Sequence, residues 1–189
     1  MPAQGCGCWG ALYRRIFGTT RHGATEGQHT VAQAMRYFAR LEIPKNAAVI
    51  FDVDDTAIDK SNNAIVEVYR LYDLLVQRGV KIIFVTSRPE TAPEIGHQDY
   101  VQYTREILAA AGYKTCEQLI CMPKHLRDAC KGKKFRTRVA SWKEGRRRQI
   151  AEHYTIIGCV DDCEENLKGT DLGYTVLVEA DDDFFDRRM

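Results

Sequence analysis

Apolar residues recur along this chain in two alternating rhythms. After Thr30, the residues Val31, Met35, Phe38 and Leu41 fall on one helical face, and Thr30 with Gln33 fits a capping box. Pro44 predicts the end of that helix. Residues 48–53, AVIFDV, form an apolar run of strand length that leads straight into acidic residues. The spacing of Ile65, Val68, Tyr72 and Leu75 predicts a helix over 61–78, stopped by Gly79. VKIIFVT at 80–86 reads as a buried strand, 99–111 as a helix closed by Gly112, and QLICM at 118–122 as a third strand. A polar, basic stretch follows. Ser141 and Glu144 fit a second capping box and predict a helix starting near Ser141. TIIGCV and YTVLVE supply two further strands.

Apolar strands alternating with amphipathic helices predict an α/β fold: a three-layer, Rossmann-like core with a mainly parallel sheet flanked by helices. Residues 1–27 lack periodicity and are expected to form a partly ordered N-terminal arm, leaving 28–189 as a single domain. In such open sheets the site lies beyond the carboxyl ends of the strands. One predicted strand ends in Asp52-Val53-Asp54-Asp55-Thr56, the next in Thr86-Ser87-Arg88, and a later one in Asp161-Asp162. Acidic, hydroxyl and basic groups are thus delivered to one sheet edge.

Composition narrows the class. The 189 residues are 44% hydrophobic and 28% charged, enough for a core that needs no disulfide staples. A net charge of +1 gives no global attraction for a polyanion. No apolar run reaches membrane-span length, the N-terminus has no sustained apolar segment of a secretory signal, and Pro2 excludes myristoylation. A cytoplasmic protein without a membrane partner is expected. The seven cysteines are an odd number, read as reduced thiols of structural or incidental role. Cys6 and Cys8 have no matching Cys/His pair at zinc spacing.

Asp52 and Asp54 are alternate residues of an extended chain, so their carboxylates face the same side and repel unless a cation or shared proton intervenes. Asp161 and Asp162 bring further carboxylate oxygens from another strand. Such a cluster suits a hard cation such as Mg2+, which binds a few carboxylates and neutralises phosphate charge beside a carboxylate nucleophile. Lys143, placed in the first turn of the helix from Ser141, opposes the helix dipole, which makes sense if an anion sits nearby. The Thr86 hydroxyl and neighbouring amides suit a phosphoryl oxygen, Arg88 adds a substrate or structural contact, and Pro89 predicts a helix start just after.

FDVDDT, FVTSR, Lys143 and the Asp161-Asp162 pair, in that order, resemble the four motifs of the haloacid dehalogenase (HAD) superfamily over about residues 48–178. DVDDT and GCVDDCEENLKG are most similar to its acid phosphatase (subfamily IIIB) branch, whose first motif reads DVDET. The resemblance implies a phosphoric monoester hydrolase forming an aspartyl-phosphate on Asp52. Asp54 would act as acid and base. Thr86 and Lys143 would complete the catalytic set, with Thr86, Ser87, Arg88 and Lys143 binding substrate. Mg2+ would be held by Asp52, the Asp54 carbonyl and Asp162, with Asp161 as an outer group. Those phosphatases carry glycine where Asp161 stands and aspartate where Asn166 stands. A second resemblance, to the phosphatase domain of polynucleotide kinase-phosphatases, rests on SRPETAPEIGHQDYVQYTREIL and on VDD.

Cap domains decide substrate choice in this superfamily. The stretches 57–85 and 87–142 are filled by the predicted elements, leaving no room for a large cap, so an open site able to admit a large or polymeric phosphorylated substrate is expected. Residues 124–148 carry many cations, including Lys131, Lys133, Lys134, Arg136, Arg138, Arg146, Arg147 and Arg148, with acids only at Asp128 and Glu144. As a solvated face they have no special role. As a phosphate track they make nucleic acid a partner and a 3′-end phosphatase the alternative function. Asp181, Asp182 and Asp183 would offset part of that field. A third reading, a non-catalytic binding module of the same fold, is disfavoured because every chemical role in the motif set is filled.

Overall fold

The computed structural model describes residues 28–93, 96–97, 99–130 and 134–179. The predicted arm at 1–27, the residues Lys131 and Lys133, and Asp181 to Asp183 lie outside them. The elements in chain order are α1 (Val31–Arg40), β1 (Ala47–Phe51), α2 (Val66–Gln77), β2 (Lys81–Pro89), α3 (Tyr100–Ala110), β3 (Gln118–Met122), α4 (Lys124–Ala129), α5 (Phe135–Ala151), β4 (Thr155–Asp161), a 3-10 turn (Glu164–Leu167) and β5 (Tyr174–Leu177).

The five strands form one sheet in the order β3-β2-β1-β4-β5, and every pairing is parallel. Strands buried on both faces need side chains for two cores, which is why they read as unbroken apolar runs. Val49, Phe51, Ile82 and Phe84 pack on one side with Phe38 of α1, Leu71 and Leu75 of α2 and Leu108 of α3. Ala48, Ile50, Ile83 and Val85 face the other side, against Ile150 and Trp142 of α5. The result is the expected three-layer α/β arrangement. Between Thr86 and Lys143 the described residues add only the short α4 to the α3 and β3 units, so no large cap interrupts the core.

Local chemistry sets most boundaries as expected. The Thr30–Gln33 capping box forms, with Thr30 N donating to Gln33 Oε1 at 2.8 Å and Gln33 N to Thr30 Oγ1 at 3.3 Å. Gly79 (φ +73°) and Gly112 (φ +103°) follow the ends of α2 and α3 in the left-handed conformation that favours glycine.

Three expectations are corrected. The helix predicted from residue 61 begins at Val66, because Asp59 Oδ1 instead accepts from the amides of Ser61 and Asn63, both at 2.8 Å, and folds those residues into a turn. No helix follows Thr86 directly: β2 runs on to Pro89, and α3 starts at Tyr100 behind its Asp99 cap. Ser141 is not a cap. α5 begins at Phe135, and the Ser141 hydroxyl donates back to the Thr137 carbonyl at 3.1 Å inside it.

Candidate active site

The order β3-β2-β1-β4-β5 reverses direction at β1, so the crevice between the carboxyl ends of β1 and β4 is a topological switch point. Asp52 follows β1 directly, and Asp161 ends β4. The chain after β1 turns at once: the amides of Ala57 and Ile58 return to the Val53 carbonyl at 2.9 and 3.0 Å. Asp55 takes φ +54° in this turn, a left-handed conformation that aspartate tolerates better than most residues.

Lys143 reaches this crevice from the middle of α5, not from its first turn. It is 3% exposed, with Nζ 2.7 Å from Asp161 Oδ2 and 3.0 Å from Asp52 Oδ1. The dipole argument made for it therefore falls, and buried ion pairing replaces it. Burial works against its charge, but Asp52 and then Asp161 outweigh burial and hold the ammonium charged. For Asp52 burial dominates in the other direction: aided by Asp161 and Asp162, and opposed by Lys143, it pushes the carboxyl up to about 8. Asp162 is likewise raised by burial and by Asp161, to about 6.

The two acids that end β4 are held differently. Asp161 Oδ2 accepts from Lys143, and its Oδ1 accepts from the Cys163 amide at 3.0 Å and from Asn166 Nδ2 at 2.8 Å. Asp162 is pinned by Thr56, whose buried hydroxyl accepts from the Asp162 amide at 2.9 Å and donates to Oδ1 at 3.2 Å. Asp52, Asp161 and Asp162 can present three carboxylate oxygens within 4.8 Å of one another.

β2 contributes through a break in its pairing. Thr86 pairs with Cys121 and Pro89 with Met122, so Ser87 and Arg88 bulge out of the β2–β3 ladder. Bulges re-aim side chains. Thr86 is fully buried, and its Oγ1 accepts from the Arg88 amide at 3.1 Å. Arg88 forks onto Asp54: Nε lies 3.0 Å from both carboxylate oxygens and Nη2 2.6 Å from Oδ1. Its Nη1 is buried with no hydrogen bond.

Asp52, Asp54, Ser87, Lys143 and Asp162 line one cleft of about 490 Å³, and Asp161 borders a small void behind it. Three residues have a supporting role that the sequence argument did not assign them. Thr56 and Asn166 tie down the paired acids. Arg147, 3% exposed and one turn beyond Lys143, donates to three main-chain carbonyls, those of Asn166 at 2.9 Å, Lys168 at 2.8 Å and Thr170 at 3.3 Å. Only its i+4 spacing from Lys143 could have pointed to it.

The basic stretch is dispersed by the fold. Lys143 and Arg147 are interior. Lys124 pairs with Asp128, Arg148 with Glu144, Arg127 stands over the Phe135 ring, Arg146 over Trp142, and Arg138 donates to the Ala129 carbonyl. Arg136 lines the cleft. No helix among the described residues is long and apolar enough to cross a membrane. Their five cysteines are free thiols, and Cys159, beside the site, is pushed up to about 12 by burial.

A parallel sheet with acids at its switch point and a lysine between them suits an enzyme that handles an anionic group, and comparison with known families names the class. Residues 59–183 match the family described as HAD superfamily, subfamily IIIB (acid phosphatase). The chain belongs to that family and is a phosphoric monoester hydrolase. The match begins just after the turn that carries Asp52 and Asp54. No curated protein matches the chain.

Proposed function

We propose that the protein hydrolyses phosphomonoesters in two displacements at phosphorus, with Asp52 as nucleophile. The observation that carries this is the buried Lys143 ammonium lying between Asp52 and Asp161 at the switch point of the sheet. Burial favours the neutral Asp52 carboxyl, and Lys143 together with a cation bound beside it would restore the carboxylate that attacks an anionic phosphoryl group.

An Asp52 oxygen attacks phosphorus, and the bond to the leaving oxygen breaks as Asp54 gives that oxygen a proton. Asp54 then takes a proton from water. The water oxygen attacks phosphorus and breaks the acyl-phosphate bond, releasing inorganic phosphate and restoring Asp52. Arg88 orients Asp54 through its fork. Thr86, the last paired residue before the bulge of β2, Ser87 and Arg88 within the bulge, and Lys143 stabilise the phosphoryl oxygens.

The donor set suits magnesium. Asn166 Oδ1 is a buried acceptor without a hydrogen bond, Asp52 Oδ1 is met by the Lys143 ammonium, and both side chains border the cleft. An orphaned acceptor beside several carboxylates fits a hard cation and its waters. Asp52, the Asp54 carbonyl and Asp162 would hold it, because both oxygens of Asp161 are already engaged. Bound there, magnesium supplies positive charge against the phosphoryl oxygens.

The test is turnover of an aryl phosphate by purified variants. Asp52→Asn should abolish it with the fold intact, because an amide does not attack phosphorus. Asp54→Asn should be severely impaired and accumulate a phosphoenzyme that hydroxylamine cleaves. Wild-type rates in either variant would refute the role given to that residue.

A further inference from the structure

The turn after β1 carries Asp54, and a residue outside the cleft braces it from behind. The amides of Ala57 and Ile58 close the turn on the Val53 carbonyl. The chain then doubles back as a hairpin in which Ile58 pairs with Ala64 and the Ile65 amide reaches the Ala57 carbonyl at 3.0 Å. These local bonds give the segment its shape. Two side-chain bonds on adjacent residues set how it sits on the sheet. Thr56 joins it to Asp162, just past β4. The Tyr113 hydroxyl, from the segment after α3, donates to the Ala57 carbonyl at 2.7 Å. β4 and β2 are the two neighbours of β1, and Tyr113 packs on the β2 side, its ring centroid 5.7 Å from that of Phe84.

The sequence around Tyr113 brings the hydroxyl to that place. Gly112 takes φ +103°, and a Cβ there would stand 2.9 Å from the Tyr69 ring. The chain therefore turns back after α3, with the Tyr113 amide on the Leu108 carbonyl at 2.9 Å. Tyr113 is 2% exposed, and the rings of Tyr72 and Tyr69 meet it edge-on at 4.8 and 5.4 Å. Burial, and after it Tyr69 and Tyr72, push its hydroxyl well above the usual tyrosine range, so it stays a donor. A phenylalanine ring would pack in the same space, so what tyrosine adds is the bond to Ala57.

We propose that Tyr113 is a positioning residue for Asp54: its hydroxyl holds the turn after β1 from the β2 side, as Thr56 holds it from the β4 side, and so fixes where the Asp54 carboxylate stands. The inference rests on the phosphatase reading of this site. Without the Tyr113 bond the turn stays fastened at Thr56 and pivots there. Misplacing a reacting group by about 1 Å costs on the order of a hundredfold in rate. The Thr56 bonds and the Arg88 fork survive the change, so the loss expected here is smaller.

The test is Tyr113→Phe, with Tyr72→Phe as its control. The Tyr72 hydroxyl is in the same ring cluster but serves Thr115, donating to its carbonyl at 3.1 Å and accepting from its amide at 2.7 Å. In Tyr113→Phe, kcat for glycerol 2-phosphate should fall by about tenfold and kcat for p-nitrophenyl phosphate by less than about threefold, with KM nearly constant. The alkyl leaving oxygen needs the Asp54 proton more. Tyr72→Phe should lower the melting temperature and leave both kcat values in place. Equal losses on the two esters, or the same kinetic change in Tyr72→Phe, overturn the proposal.

Amide hydrogen exchange reads the brace without any turnover. The amides of Ala57 and Ile58 should exchange about tenfold faster in Tyr113→Phe than in Tyr72→Phe. Equal exchange in the two variants overturns the proposal whatever the kinetics. A wild type that hydrolyses no phosphomonoester, beside variants whose exchange differs as expected, refutes the hydrolytic reading and leaves the brace in place.

Discussion

Arg88 meets Asp54 with Nε against both carboxylate oxygens and Nη2 against one, a planar fork that lysine cannot reproduce. Asp54 is half exposed, so without the fork its carboxylate is free to rotate away from where the proposed proton transfer needs it. Arg88→Lys keeps the charge and loses the orientation. We expect kcat to fall by about tenfold or more, since misplacing a proton-transfer group is costly even when the group survives. Steady-state kinetics on an activated and an unactivated ester check this. The loss should be larger for the unactivated ester, whose leaving oxygen needs the proton more, and equal losses would tie Arg88 to phosphate binding alone. At this scale the sequence was informative wherever a residue sits at the end of an apolar run, as Asp52, Thr86 and the Asp161-Asp162 pair do. It was silent on Thr56, because the residue Thr56 holds is Asp162, 106 positions away. Asn166 was noticed only as a departure from a family pattern, and its bond to Asp161 depends on the curl of a turn that no periodicity encodes.

Helix α5 refers both halves of the acid cluster to one rigid body. Lys143 grips Asp52 and Asp161, and Arg147, one turn on, grips the carbonyls of the segment that carries Asn166. That pairing also explains why the helix start was misread. Two of the four buried positions of α5 are Lys143 and Arg147, so its inward face is only half apolar and its first turns looked like part of a basic loop. The strands were legible for the opposite reason, because both faces of each are covered by apolar layers. Arg147→Met should cost about 3 kcal/mol or more, since it removes a buried cation and strips three main-chain carbonyls of their partner. Thermal and urea unfolding measure that loss. If Arg147 also keeps the acids in place, the folded variant should bind magnesium more weakly in a calorimetric titration. Unaltered magnesium affinity beside a lowered melting temperature would make it a purely structural clamp.

The sheet as a whole brings together carboxylates that cannot all be satisfied by one lysine. Asp52 comes from β1, Asp161 and Asp162 from β4, and Lys143 is the ammonium found between them. Like charges crowded at a buried switch point cost stability, and the proposed divalent ion, bound across β1 and β4, would offset that cost and leave Lys143 for the phosphoryl group. Metal that binds the folded chain and not the unfolded one raises stability by mass action, about 2.7 kcal/mol at a hundredfold excess over its Kd. For a chain of this size that corresponds to a rise in Tm on the order of 5–10 °C. Magnesium added to chelator-treated protein should therefore raise the melting temperature with a saturating concentration dependence. Asp162→Asn should shrink the rise, while Asp161→Asn should act chiefly by freeing Lys143 and Asn166. Calcium, which prefers more ligands at longer distances, should stabilise the fold yet support turnover poorly. A melting curve insensitive to magnesium at tens of millimolar, together with full activity in excess chelator, would remove the metal from this site and leave Lys143 and Arg88 as its cations.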